Sequence, residues 1–318
     1  VKVRQGSPGA KILALGHYQP SNVVTNDDLA ATMETNDEWI QSRVGIKERR
    51  VALDSESEID LAVQAGGKAL AASGLAASDI DLVIVATCTL ETQIPNASAR
   101  VAVRLGIESP GAFDVNTACS GFCYALAVAD NAIRTGSATN VLVIGTEKLS
   151  QWIDWTDRST AVIFADGAGA AVVGPSQTPG IGPVVWGSAG DKAEAIMIKD
   201  RDSSLSQEGQ TVFRWATTAL HPVARQVCEA AGVDPADLAA FVPHQANLRI
   251  IEAIARKIGA ENAVVAKDIV LAGNTSAASI PLALSRMVER GEVQSGGLAL
   301  LLGFGAGLTY AGQVVEIP

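Results

Sequence analysis

Hydrophobic and polar positions along the chain fall into two alternating rhythms. Short β-branched runs at Ile80 to Ala86, Val141 to Gly145, Ala170 to Val173, Leu298 to Leu302 and Gln313 to Ile317 predict strands. Between them, helical patterns cover Glu58 to Ser73, Phe122 to Thr135, Val212 to Ala231, Leu248 to Ile258 and Ile280 to Glu289. Alternation of this kind predicts an α/β fold with largely buried sheets. The stretch from Gln294 to Val315 is uncharged but holds six glycines with Gln, Ser, Thr and Tyr. It reads as two buried strands around a Gly-rich turn rather than a membrane span.

The pattern repeats. Gly74 and Gly232 each close a helix before a strand and stand 158 residues apart. Asp79 and Asp237 open those strands at the same offset, as do Gly145 and Gly303 further on, while Gly136 and Gly291 stand 155 apart. Several matches in order predict a duplicated α/β unit. Pro175, Pro179 and Gly180 break the pattern, so the expected halves are residues 1–174 and 175–318.

Composition narrows the class. A chain of 318 residues with 48% hydrophobic and 18% charged positions can bury a large core and is not disordered. Its net charge of −10 argues against a general nucleic-acid binder. Four cysteines are too few for a disulfide framework, and no CxxC or HExxH motif suggests zinc. No signal peptide or membrane span is expected, and a soluble cytoplasmic protein is the working class.

Cys119 lies in Asp114-Val115-Asn116-Thr117-Ala118-Cys119-Ser120-Gly121-Phe122, where a buried strand is expected to turn into a helix. A helix N-terminus favours a thiolate, and the small neighbours leave room for a substrate. Cys119 therefore reads as a nucleophile or as a buried structural cysteine, the commoner fate of a free thiol. Cys123, one turn on, suggests a redox pair but reads as core, and Cys88 and Cys228 read as packing residues. His244 follows the apolar run Phe241-Val242-Pro243, at a strand's C-terminal end, where α/β sites collect catalytic groups. A capping or buried histidine is the alternative. His17 falls in an expected Gly-Pro loop and His221 in a helical pattern. Asn274 precedes the helix from Ile280 and reads as a turn or N-cap. It stands 155 residues from Cys119, which places it in the second half's equivalent of the Cys119 turn. Gly303 to Gly307 is weak as a dinucleotide motif, because the chain ends before an acidic ribose partner. It could instead present N–H groups to an oxyanion. Arg249, Arg256 and Lys257 form a basic stripe on one helix, either a solvated face or a dock for something acidic.

Five segments together resemble the thiolase-fold condensing enzymes, and among them the β-ketoacyl-acyl-carrier-protein synthase III family, with an actinobacterial flavour. They are Thr35 to Ile40, Ala118 to Phe122, Phe164 to Ala170, Val242 to Arg249 and Gly273 to Ser279. The resemblance runs from about Ile12 to Val315. It implies a five-layered αβαβα fold and a homodimer. It also implies a catalytic Cys119 with His244 and Asn274, and an oxyanion hole at the N–H groups of Cys119 and Ala306. Trp39, Arg43, Arg158, Thr35 and Asn247 would bind coenzyme A. Arg214, Arg249, Arg256 and Lys257 would dock an acyl carrier protein (ACP). Ile94 would wall the acyl pocket, partly across the dimer, and its non-aromatic side chain suggests a roomier or branched-chain pocket. The reaction implied is decarboxylative condensation of a short acyl-CoA with malonyl-ACP, by a ping-pong route without cofactor or metal. The alternatives are a starter-unit ketosynthase of a polyketide pathway, a degradative thiolase, and a non-catalytic scaffold. A thiolase would need a second active-site cysteine near the C-terminus, and the last cysteine is Cys228.

Overall fold

Two five-stranded sheets carry the architecture of the computed structural model, which describes residues 1–2 and 4–318. The first sheet contains β1 (Gly9–Tyr18), β2 (Leu82–Ala86), β3 (Gly111–Val115), β4 (Val141–Lys148) and β5 (Asp166–Ser176), in the spatial order β3-β2-β4-β5-β1. The second contains β6 (Val185–Ser188), β7 (Ala240–Pro243), β8 (Val264–Val265), β9 (Leu298–Phe304) and β10 (Thr309–Glu316), in the order β8-β7-β9-β10-β6. β2 runs parallel to β3 and β4, and β5 antiparallel to β4 and β1. β7, β8, β9, β10 and β6 repeat that scheme strand for strand. Leu82 faces Val141 in the first sheet and Ala240 faces Ala299 in the second, so both partners recur 158 residues later.

Six helices complete the layers: α1 (Glu58–Ser73), α2 (Ala97–Arg104), α3 (Gly121–Arg134), α4 (Gly209–Ala231), α5 (Leu248–Ile258) and α6 (Ser279–Glu289). Alternate strand residues point to opposite faces, which sorts the core. Val83 and Val85 pack outward with Ile59, Leu61 and Val101 of α1 and α2. Ile84 and Ala86 point inward and join Phe122 and Leu126 of α3, Ile280 and Leu284 of α6, and Val242 and Leu301 of the second sheet. Phe241, Leu300 and Leu302 cover that sheet's outer face with Leu220 of α4 and Ile254 of α5. The result is five layers, αβαβα, with α3 and α6 sealed between the sheets.

Local signals explain the sharpest boundaries. Ser57 and Asp60 form a capping box at the start of α1, and Gly74 closes it in the left-handed region. Asn247 caps α5, and Gly259 ends it likewise. Both helices have the bounds expected from the pattern. β10 starts at Thr309, four residues before the expected Gln313, because Tyr310 to Gly312 pair with β9 and Thr309 with β6 without offering a β-branched run. His17 lies in β1, paired with Gly169, and not in a loop; the neighbouring Gly16 and Pro20 hid the strand. β3 is an open sheet edge with two of its five residues exposed and none fully buried, not the buried strand expected before Cys119. β5 continues through Pro175 and Ser176, two residues past the expected end of the first half.

Candidate active site

Between β3 and α3 the chain makes a single 3-10 turn over Ala118–Ser120. Ala118 is held at φ 44°, a left-handed conformation that strains a residue with a side chain. The turn sets Cys119, 8% exposed, at the head of the sealed helix α3. The second half repeats this turn over Ser276–Ala278 ahead of α6, with Ser276 at φ 47°. The two strained residues stand 158 apart, which fixes the correspondence of the turns. Cys119 therefore matches Ala277, and Asn274 matches Asn116. Asn274 thus lies in the second half's equivalent of the Cys119 turn, as expected, with the turns 158 residues apart rather than 155. Cys119 and Asn274 are not equivalent positions; they converge because the turns face each other. Each turn packs on a glycine of the other half. A Cβ on Gly303 of β9 would lie 2.9 Å from Ser120 Cα, and one on Gly145 of β4 would lie 2.3 Å from the Ala277 carbonyl oxygen.

Asn274 is clamped by its backbone. Its carbonyl accepts from Ala165 N–H at 2.8 Å, and its N–H donates to Ile163 at 2.9 Å. Its Oδ1 accepts the Ser276 N–H at 2.9 Å, which leaves Nδ2 as a free donor. His244 follows β7 and is 1% exposed. Its Nδ1 lies 2.7 Å from Ser279 Oγ, and Phe304 meets its ring edge-on at 5.2 Å. Ser279 Oγ also accepts the Gln245 N–H at 3.3 Å. In the tautomer in which Ser279 donates to Nδ1, the imidazole N–H sits on Nε2. Burial lowers the His244 pKa to about 3, so the ring is neutral near pH 7.

Burial also pushes the Cys119 thiol up to about 11, while the Ser276 hydroxyl and the N–H groups of Ala306 and Cys119 favour the thiolate. Glu147 on β4 is fully buried beside the turns. Its Oε1 accepts from Ser276 Oγ at 2.9 Å and Cys88 Sγ at 3.3 Å, and its Oε2 accepts from Thr89 Oγ1 at 2.7 Å. Burial raises its carboxyl above the usual range against the pull of those bonds.

Cys119, His244, Asn274 and Ala306 line one cavity of about 1040 Å³. Trp39, Arg43, Arg158, Asn247, Arg214 and Arg249 also line it. The Arg158 guanidinium sits 5.0 Å and that of Arg43 5.8 Å from the Trp39 ring. Asn247 Nδ2 donates to the Arg43 carbonyl at 3.1 Å. Arg249 lies 5.1 Å over Phe213. Thr35, Arg256, Lys257 and Ile94 are not brought to the cavity. Arg256 and Lys257 are exposed further along α5, where Lys257 Nζ donates to the Thr217 carbonyl on α4 at 3.1 Å. Ile94 is 84% exposed near the open edge strand. Cys123 and Cys228 are core residues, but Cys88 lines the cavity rather than serving only as packing.

Glu147, Ser276 and Ser279 were missed in the sequence. Glu147 was legible as a charge continuing the apolar run from Val141. Ser276 would have emerged from aligning the halves at 158. Ser279 carried no separate signal. Among the described residues no group of three or more His, Cys, Asp or Glu could hold a metal ion. No helix among them is long and apolar enough to cross a membrane.

Comparison with known proteins places this geometry. The family description 3-oxoacyl-[acyl-carrier-protein] synthase III matches residues 113–190, and its C-terminal counterpart matches residues 228–317. A β-ketoacyl-[acyl-carrier-protein] synthase III of Streptomyces coelicolor is 57% identical, over 98% of this chain and 99% of the relative. One of Streptomyces avermitilis is 58% identical over the same shares. Among solved structures, the priming β-ketosynthase of the R1128 polyketide pathway superposes with TM-score 0.97 at 42% identity, covering 100% of this chain and 98% of that one. The 3-oxoacyl-[acyl-carrier-protein] synthase III of Aquifex aeolicus superposes with TM-score 0.92 at 42% identity, covering 97% and 100%. The layers are those of the thiolase-fold enzymes, and the chain belongs to the 3-oxoacyl-[acyl-carrier-protein] synthase III family.

Proposed function

We propose that Cys119, His244 and Asn274 divide the two half-reactions of this condensing enzyme between them. The reaction joins a short acyl group from acyl-CoA to malonyl-ACP with loss of CO₂, giving the β-ketoacyl-ACP that starts type II fatty-acid synthesis. One observation carries the division: the thiol at the head of a sealed helix faces two neutral hydrogen-bond donors across one cavity. Cys119 attacks the thioester carbonyl, and the N–H groups of Cys119 and Ala306 hold the oxyanion. Coenzyme A leaves and an acyl-enzyme remains. Malonyl-ACP then enters. His244 Nε2–H and Asn274 Nδ2–H donate to its thioester oxygen and stabilise the enolate as CO₂ departs. The enolate carbon attacks the acyl carbonyl and expels the Cys119 thiolate. A neutral His244 suits this role, because it donates without first losing a proton to the carboxylate.

Trp39 offers a face to the adenine of CoA, with Arg43 and Arg158 near its phosphates. Asn247, which also lines the cavity, completes that contact. Arg214 and Arg249 at the cavity rim, with Arg256 and Lys257 behind them, dock the acidic carrier protein. The substrates locate the enzyme in the cytoplasm. The open edge of β3 supports a homodimer. Phe113 and the neighbouring Ile94 and Val103 expose apolar surface there, and an unpaired edge of this kind is stabilised by a second copy. Ile94 would then reach the partner's acyl pocket. The halves divide between Ser176 and Ile181, where the chain leaves β5 and joins β10 at Val315.

The test is the intact mass of wild type and Cys119→Ala after mixing with acetyl-, isobutyryl- and longer acyl-CoAs. An acyl-sized gain on wild type alone is expected, and the best-labelling CoA names the starter. No gain from any CoA would sink the reading. The fold similarity to the R1128 priming ketosynthase favours a second reading, priming of a polyketide chain. Faster turnover with a polyketide carrier protein than with the fatty-acid carrier would select it.

A further inference from the structure

The oxyanion hole assigned to Cys119 and Ala306 is assembled from both halves of the chain. Cys119 sits in the turn before α3, and Ala306 in the turn between β9 and β10. Such a hole works only when both N–H groups converge on one point to within a fraction of an ångström. The second turn is strained. Gly307 and Leu308 take left-handed conformations, at φ 73° and 42°, and Leu308 carries a side chain there. The same turn is pressed on the nucleophile: a Cβ on Gly305 would lie 2.6 Å from Cys119 Cβ and 2.7 Å from its Sγ. Two hydroxyls join the turns. Ser120 Oγ and Thr309 Oγ1 lie 2.9 Å apart. Ser120 Oγ also lies 2.8 Å from the Thr117 carbonyl oxygen. Thr309 Oγ1 lies 3.0 Å from the Ala306 carbonyl oxygen and 3.3 Å from that of Thr117. At 2.9 Å one hydroxyl donates to the other, and the second proton goes to one of those carbonyls. Either direction ties the residue after Cys119 to the turn that carries Ala306. Ser120 is fully buried, so its hydroxyl depends on these partners rather than on water.

We propose that the Ser120–Thr309 hydroxyl pair sets the oxyanion hole by holding the Ala306 N–H in line with the Cys119 N–H. Both are positioning residues, acting through the two turns and not on the substrate. As the Cys119 sulfur bonds to the thioester carbonyl carbon, the carbonyl π pair moves onto oxygen, and the two N–H groups receive that charge. The hole is used again when the enolate carbon attacks the acyl-enzyme carbonyl. The proposal rests on Cys119 being the acylated residue and on Ala306 completing the hole. Wild type tests the first by itself, and Ala306→Pro the second.

The decisive experiment compares two reactions of the same thiol in wild type, Ser120→Ala, Thr309→Val, Thr309→Ser and the double variant Ser120→Ala/Thr309→Val. Acylation by the best-labelling acyl-CoA at saturation, read by rapid-quench mass spectrometry, develops an oxyanion. Alkylation by iodoacetamide develops none, because it displaces iodide at a saturated carbon. Acylation is expected to fall by about 10-fold in Ser120→Ala and in Thr309→Val, a fraction of the loss for a removed donor. The double variant should fall no further. The loss is expected in the saturating rate and not in the acyl-CoA concentration at half-saturation. Alkylation should keep its wild-type rate, and Thr309→Ser, which retains the hydroxyl, should restore most of the acylation. Acylation at the wild-type rate in either Ser120→Ala or Thr309→Val overturns the proposal, as does additivity in the double variant. Equal loss of acylation and alkylation also overturns it, because the thiol rather than the hole would have moved. If Thr309→Val fails to fold, Ser120→Ala decides by the same ratio of rates. Ala306→Pro removes the N–H itself. A wild-type acylation rate there refutes the hole, and loss there with none in the hydroxyl variants overturns the pair alone. Wild type that takes no acyl group refutes the Cys119 assignment instead.

Discussion

The turns at 116–121 and 274–279 share one backbone and carry different chemistry. Both come after an edge strand of their sheet, both strain one residue near φ 45°, and both launch a helix into the sealed middle layer. The first half places Asn116, Ala118 and Cys119 where the second places Asn274, Ser276 and Ala277. The duplicated scaffold thus supplies two converging helix heads. Divergence supplies a thiol on one and a hydroxyl on the other, while an asparagine two residues before the strained position is common to both. A reaction that needs a nucleophile and an opposed donor can be built from two copies of a single motif.

The largest break in that comparison is removal of the thiol. Cys119→Ala makes the first turn as inert as its counterpart at Ala277, and no acyl mass gain is expected from any CoA. Removing the opposed donors should split the half-reactions. His244→Ala and Asn274→Ala are each expected to slow malonyl-ACP decarboxylation by on the order of 100-fold, the cost of one oxyanion donor. Cys119 acylation should stay near the wild-type rate in both. Equal loss of both half-reactions, followed with labelled malonyl-ACP and by intact mass, would refute the division.

A smaller effect tests the scaffold. Gly145 and Gly303 let each turn settle on the opposite half. Gly145→Ala would press a methyl to 2.3 Å from a fixed backbone oxygen, and Gly303→Ala to 2.9 Å from a Cα. Overpacking of this kind costs about 1–3 kcal/mol, and Gly145→Ala should sit at the upper end. Thermal unfolding should rank wild type above Gly303→Ala and that above Gly145→Ala. The reverse order would mean that the two turns are not held by the same contact.

Much of this was legible before any coordinates. The helices Glu58–Ser73 and Leu248–Ile258 announce themselves through caps and closing glycines, because those signals act within a turn of the chain. Cys119, His244 and Asn274 stand out because each interrupts small or apolar neighbours. Glu147 and Ser276 were not read, since their meaning lies in a contact across 129 residues. The offset of 155 put Asn274 in the right turn but missed the register, because the backbone aligns on the strained positions Ala118 and Ser276. Ile94 was read from the resemblance alone, and in its own chain it is 84% exposed.

The smallest expected effect compares the ends of β2 and β7. At the offset of 158, Ala86 of the first half corresponds to His244 of the second, so only one half buries a titratable ring at this position. The His244 pKa is lowered from 6.5 to about 3, so the folded protein resists a proton that the unfolded chain accepts. Its contribution to stability is therefore present above 6.5 and is lost as pH falls toward 3. Each unit in that window costs up to about 1.4 kcal/mol. His17, lowered to about 4, adds a slope of the same sign, and the carboxyls raised by burial, Glu147 and Asp166 among them, add slopes of the opposite sign. All are common to wild type and His244→Gln and cancel in their difference. Denaturant unfolding between about pH 7 and pH 5 should show wild type losing more stability than His244→Gln. Parallel curves would mean that the folded ring takes up its proton near 6.5 like the unfolded chain, and that burial does not hold it neutral.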